Sequence, residues 1–239
     1  MSKYHKYYDM LNQKKDYAKD IEHIEKLSGQ VHNALEVGCG TGNHTIQLCK
    51  IAKHVSACDL DPLMVEIALK KLEKYNVSIY TSISDIPYKN FQLCVMMWHV
   101  LNYFPSLQMM NEVFKQVYSR MKEGSLFVFD MWNGVAVLRD LPNTSTYEFS
   151  DGSTSIKHVL TGTTSLMEQR TDILNTITIS RNGSIVDEFT HNVSHYIWTV
   201  KTVGEMLEAH GFNYSVVKTT NYNIKADDKD WKVAVIARK

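Results

Sequence analysis

The stretch that decides the fold is Ala34-Leu35-Glu36-Val37-Gly38-Cys39-Gly40-Thr41-Gly42. Four residues of buried-strand character, the acid Glu36 among them, run into three alternating glycines, and residues 42–51 then read as a helix. A glycine-rich turn between a strand and its helix lets backbone N–H groups approach a ligand that a Cβ would hold off. A dinucleotide fingerprint would need its third glycine at position 43, which is Asn43, and a Walker A loop would need a Gly-Lys-Ser/Thr step that is missing.

Outward from this turn, strands and helices alternate over residues 31–130. Residues 54–58 read as a second strand, and Asp61-Pro62 opens a helix with a favourable cap and a proline at its first position. Residues 77–80 and 93–97 read as strands three and four. Leu107, Met110, Phe114, Val117 and Met121 repeat at helical spacing, Gly124 is expected to close that helix, and residues 126–129 form strand five. Such alternation predicts right-handed crossovers and an α/β, Rossmann-like, mostly parallel sheet of seven strands with helices on both faces. Residues 1–29 read as an N-terminal helical lid. Residues 144–198 change to Thr- and Ser-rich period-two alternation, with a hairpin signal at Asn182-Gly183, and predict an antiparallel β insertion of three or four strands. The main domain is therefore expected to comprise residues 30–143 and 199–239.

Composition narrows the function classes. Lys plus Arg and Asp plus Glu both number 26, so no overall field favours nucleic acid or an anionic membrane. The N-terminus is polar, and the near-apolar run at 91–101 is too short to span a bilayer. Cys39, Cys49, Cys58 and Cys94 show no C-x-x-C spacing, and His191 and His195 lie four apart in a predicted strand. No metal site is expected, and a reducing cytoplasm is the simplest location.

The acid before the turn carries chemistry. Glu36 can accept hydrogen bonds from the ammonium of an amino-acid moiety, whereas it would repel a pyrophosphate. Asp59, ending the second strand, can grip ribose hydroxyls, with the alternative that it caps a helix and Asp61 makes the contact. Asp85 is placed for an adenine amino group, or is a loop aspartate before Pro87.

The string from Leu35 to Gly42 resembles motif I of class I S-adenosylmethionine-dependent methyltransferases. Ala57-Cys58-Asp59-Leu60-Asp61-Pro62 looks like that family's acidic loop, and Asp85 matches its adenine-proximal acid. The resemblance implies S-adenosylmethionine as cofactor and S-adenosylhomocysteine as product. It also implies a cofactor wall of Glu36, Gly38, Cys39, Gly40, Gly42, Asp59, Leu60, Asp85, Ile86 and Met97.

Strand four continues into Trp98-His99-Val100-Leu101-Asn102-Tyr103, and strand five ends Asp130-Met131-Trp132-Asn133. Ligands of open α/β sheets sit outside such carboxyl ends, so Trp98, Asn102, Tyr103 and Trp132 are expected to line an acceptor pocket. These segments, a tyrosine-rich N-terminus and the β insertion resemble a subgroup of small-molecule methyltransferases. That subgroup includes enzymes acting on the amino group of nucleotide-linked amino sugars. His99 is the candidate base, with a merely structural histidine as the alternative. Tyr8 and Tyr17 are candidates to close over the sulfonium, or core tyrosines. The insertion is expected to form acceptor pocket, homodimer interface or both. O- or C-methylation of another metabolite, methylation of a macromolecule and a non-catalytic binding module are the competing functions.

Overall fold

The computed structural model describes residues 2–239. The chain begins with α1 (Lys3–Leu11) and α2 (Tyr17–Ser28). Then β1 (Val31–Val37), α3 (Asn43–Leu48), β2 (Ala52–Cys58), α4 (Pro62–Lys71), β3 (Val77–Tyr80) and β4 (Phe91–Met96) follow. Next come α5 (Leu107–Arg120), β5 (Met121–Trp132) and α6 (Gly134–Arg139). The strands β6 (Ser145–Asp151), β7 (Thr154–Ser165), β8 (Arg170–Arg181) and β9 (Ser184–Tyr196) precede α7 (Val200–Ala209). Three strands close the chain: β10 (Asn213–Lys218), β11 (Asn221–Lys225) and β12 (Lys232–Arg238).

Two compact units result. The larger holds residues 16–136 and 198–239, the smaller residues up to Lys15 and 137–197. The larger unit is the expected Rossmann-like sheet, with order β11-β10-β12-β5-β4-β1-β2-β3. β1 to β5 pair in parallel, while β12 runs antiparallel between β5 and β10. The sheet has eight strands rather than seven. The extra one, β11, is an edge strand whose polar Asn221-Tyr222-Asn223-Ile224-Lys225 carries little strand signal and buries Tyr222.

Period-two alternation assigns each face of this sheet. Leu35, Val37, Phe127, Phe129 and Met131 pack with Met110, Phe114 and Val117 of α5 and Val203 and Leu207 of α7. Ala34, Leu93, Val95 and Val128 pack instead with Ile21 and Ile24 of α2 and Leu48 of α3. Glu36 and Asp130 share the parity of Ala34 and Val128, so both carboxylates belong to the α2–α3 face.

Local chemistry explains most boundaries. Asp61 caps α4 by accepting from the N–H groups of Leu63 and Met64, with Pro62 at its first position. Ser106 caps α5 through the N–H of Met109. Gly124 does not close that helix. α5 ends at Arg120, Met121 already pairs with Phe91, and Gly124 (φ +77°) lies in an irregular stretch before Leu126 resumes the ladder opposite Leu93.

The expected N-terminal helical segment holds two helices, α1 and α2, and the two belong to different units. Residues 12–16, Asn-Gln-Lys-Lys-Asp, offer no apolar stripe, and Asp16 starts α2 afresh by accepting from Lys19 N–H at 3.0 Å. The smaller unit is an antiparallel meander, β6-β7-β8-β9, bounded at 137–197 rather than 144–198. Leu11 of α1 packs there with Ile156, Ile177 and Ile179. Asn182 and Gly183, at φ +50° and +79°, make the expected two-residue turn between paired Arg181 and Ser184.

Candidate active site

The glycine turn leaves β1 with three left-handed residues, Gly38, Gly40 and Gly42, at φ +75°, +54° and +87°. At Gly38 a Cβ would also lie 2.5 Å from Val100 Cγ2, so the turn after β1 is seated against the turn after β4. The N–H groups of Gly38 and Cys39 donate to Cys58 O at 2.8 and 3.0 Å. Asp59 Oδ2 accepts from Gly40 N–H at 2.7 Å, and its Oδ1 accepts from Asp61 N–H at 2.9 Å. Asp59 thus braces the turn, while Asp61 is the helix cap. Lys71 Nζ donates to Thr41 Oγ1 and Asn43 Oδ1 on the turn's far side.

Glu36 is 1% exposed, and its Oε2 accepts from Thr45 Oγ1 at 2.6 Å. Burial pushes its carboxyl up to about 7 against the opposing pull of His44 and Thr45, and Asp59 adds to the rise. His44 is turned to Asp20 of α2, Nε2 to Oδ2 2.9 Å, and Tyr17 sets its ring edge-on to His44 at 4.8 Å. Burial likewise holds the Cys39 thiol well above its ordinary range, so Cys39 contributes backbone rather than a nucleophile.

The end of β4 is unusual. Trp98 and His99, both carrying a Cβ, are consecutive left-handed residues at φ +69° and +59°. Such strain persists only where surroundings enforce it, and it concentrates at functional sites. His99 is 7% exposed. Its backbone N–H donates to Asp130 Oδ1 at 3.1 Å and its Nδ1 lies 2.8 Å from Asp130 Oδ2. Burial alone would raise the Asp130 carboxyl, yet the charge and hydrogen bonds of His99 outweigh it and hold it well below the usual carboxylate range. The His99 ring lies 5.4 Å from Trp98, nearly parallel, and 6.3 Å from Trp132. Tyr17 stands 6.5 Å from Trp98, and Lys232 Nζ lies 5.6 Å from the Trp98 ring.

The sequence-predicted residues therefore fall into distinct roles. Glu36, the three glycines, Cys39 and Asp59 build one turn. Met97 and Ile86 are buried, Leu60 is 68% exposed, and Asp85 accepts from Thr81 Oγ1 at 3.0 Å. Asn102, expected in the acceptor pocket, is fully buried and its Oδ1 accepts from Trp132 N–H at 2.9 Å, tying the post-β4 turn to β5. Tyr103 is half-exposed at the same turn. Tyr8 belongs to the smaller unit, where its ring meets Tyr4 edge-on at 5.7 Å. Sequence reasoning missed Asp130 as the partner of His99, and also Thr45, His44, Asp20 and Lys71. Among the described residues no group of three His, Cys, Asp or Glu is arranged to hold a metal, and no helix is long and apolar enough to cross a membrane.

This is a Rossmann-like fold with an open glycine turn at the carboxyl end of β1. The backbone is open where a Cβ would intrude, and beside it stands a buried carboxylate whose hydrogen-bond donor is the Thr45 hydroxyl. Residues 34–124 match the methyltransferase-domain family. A methyltransferase of Geobacillus sp. is 30% identical over 101 residues, 41% of each chain, so the match spans less than half the length of that relative. The fold is similar to an S-adenosylmethionine-dependent methyltransferase from Clostridium acetobutylicum. The TM-score is 0.80 at 20% identity, covering 98% of this chain and 96% of that one. It is also similar to S-adenosylmethionine-bound CalS10, an amino pentose methyltransferase from Micromonospora echinaspora. There the TM-score is 0.77 at 16% identity, covering 100% and 98%.

Proposed function

We propose that the protein methylates the amino group of a small molecule, with a nucleotide-linked amino sugar as the preferred acceptor class. The observation that carries this reading is His99, buried at the end of β4 and paired through Nδ1 with Asp130. An amine is protonated near neutrality and must lose that proton before its lone pair can attack, a task suited to an imidazole. Bound S-adenosylmethionine supplies the methyl as an electrophilic carbon on sulfonium. Glu36 would hold its ammonium, the glycine turn would admit its amino-acid portion, and Asp59 would meet the ribose while bracing Gly40. Trp98 and Trp132 offer aromatic surface, favourable beside a cationic acceptor.

Balanced charge supports a small molecule over nucleic acid as partner. Four free thiols accord with a reducing cytoplasm. The smaller unit's sheet is the proposed source of further acceptor contacts or of a homodimer surface.

The test is methylation of nucleotide-linked amino sugars beside their hydroxyl analogues and simple amines, followed by mass spectrometry. His99→Gln should slow turnover about 100-fold or more, as loss of a general base does, while S-adenosylhomocysteine affinity is kept. Full turnover by His99→Gln removes the base assignment, and methylation of the hydroxyl analogues alone removes nitrogen as acceptor.

A further inference from the structure

We infer that Asp130 is a positioning residue, whose single carboxylate fixes both the strained backbone step at His99 and the ring tautomer that leaves Nε2 to take the acceptor's proton. The inference rests on the reading of His99 as the base.

The geometry assigns the two oxygens separate tasks. Oδ1 accepts from the His99 backbone N–H at 3.1 Å, within the left-handed step at Trp98 and His99. A Cβ disfavours that conformation at each residue, so it needs an external hold. Oδ2 lies 2.8 Å from Nδ1 of the same residue. The two residues are 31 apart in sequence, and the sheet brings them together: Met96 of β4 pairs with Phe129 of β5, so the next residues on each strand emerge side by side.

The charge state then selects the tautomer. Oδ1 accepts from the His99 backbone N–H and Oδ2 faces Nδ1, and a carboxylate only accepts hydrogen bonds. Nδ1 must therefore carry the proton. Neither ring nitrogen has a hydrogen bond of good geometry among the described residues, but Nδ1 has the Oδ2 contact at 2.8 Å and Nε2 faces no such oxygen. A doubly protonated ring serving only as a structural ion pair would leave an N–H without an acceptor there, which burial penalises. The neutral ring instead presents a lone pair beside the Trp98 and Trp132 rings. In the step that follows, Nε2 takes one proton from the acceptor's ammonium. The freed nitrogen pair forms the N–C bond as the methyl C–S bond breaks, and its electrons remain on sulfur.

The test is long-range 1H–15N correlation on protein labelled at histidine, at pH 8 with S-adenosylhomocysteine, alongside kinetics. Wild type should show His99 as the neutral Nδ1–H form. In Asp130→Asn the amide oxygen can still accept from the backbone N–H, but the amide nitrogen faces Nδ1 as a donor, so the proton should move to Nε2. The kcat should fall about 100- to 10,000-fold with acceptor KM nearly unchanged. In a His99→Gln background the same change should alter kcat by less than about twofold, since two residues acting as one unit are not additive.

An Nε2–H or doubly protonated His99 in wild type overturns the inference, and that spectrum decides even if the variant does not fold. An undiminished effect of Asp130→Asn on top of His99→Gln also overturns it. If His99→Gln itself turns over at full rate, the base assignment has failed, a kinetic result separate from the tautomer that the spectrum reports.

Discussion

Glu36 provides the sharpest quantitative expectation. Its carboxyl is pushed up to about 7 by burial, so the apoprotein holds it half protonated at pH 7 and almost fully protonated at pH 5.5. A ligand carrying an ammonium should bind the ionised form. The apparent dissociation constant then grows as one plus ten to the power of pKa minus pH, weakening binding about 16-fold between pH 7 and pH 5.5. That window lies below the range where an α-amino group itself titrates, near 8. Calorimetry with S-adenosylhomocysteine, repeated in buffers of different ionisation enthalpy, should register release of about half a proton per ligand at pH 7 and nearly one at pH 5.5. Glu36→Gln is the matched perturbation, because the amide keeps the shape and cannot ionise. It should bind about 10- to 100-fold more weakly at pH 7, the loss of one charge-assisted hydrogen bond, and the ratio of its affinity to that of wild type should narrow as pH falls. Other groups titrating in this window act on both proteins alike. A wild-type affinity flat between pH 7 and 5.5, or a Gln variant with the same slope, would refute this account of the ammonium site.

The same carboxylate has an opposite effect on folding. Its folded pKa stands above the ordinary 4.5, so its contribution to stability is complete below pH 4.5 and is lost as pH rises through about 7. Without ligand at pH 8, Glu36→Gln should therefore stabilise the protein by up to about 3 kcal/mol in urea titration, and a destabilised variant would contradict the burial argument. Gly38→Ala combines a left-handed φ with a Cβ 2.5 Å from Val100 Cγ2. It should cost at least about 1–2 kcal/mol and abolish measurable S-adenosylhomocysteine binding by calorimetry. Asp59→Ala and Asp61→Ala should separate cleanly, though the residues are two apart. Removing the cap at Asp61 should cost about 0.5–2 kcal/mol of stability with ligand affinity nearly kept, whereas removing the brace on Gly40 should weaken binding about tenfold or more. Equal loss of affinity in both would reverse the roles given to them.

Features decided within a few residues were legible before any coordinates. The glycine turn, the Asp61-Pro62 helix start and the Asn182-Gly183 hairpin each depend on the φ preference or capping chemistry of adjacent side chains. Gly124 misled because a glycine following a helical stripe marks a helix end as readily as an irregular strand entry, and only the pairing of Phe91 with Met121 distinguishes them. The partners in the site lie 24 and 31 residues apart, Asp20 with His44 and His99 with Asp130, and they meet only through helix packing and strand order. One signal for Asp130 was nevertheless present. It follows Phe127-Val128-Phe129 in a strand buried on both faces, where a carboxylate without a partner is costly. Glu36 is likewise buried on β1 with the same parity, and the two diverge through their partners. Asp130 has an imidazole at 2.8 Å and is driven well below its usual range, whereas the nearest hydrogen bond to Glu36 comes from the neutral hydroxyl of Thr45 and its pKa rises. A buried acid that the fold has supplied with an imidazole partner is fixed in place by it. One whose nearest hydrogen bond comes from a neutral hydroxyl is where an ammonium-bearing ligand is expected to gain most, and that expectation is what the calorimetry on Glu36 tests.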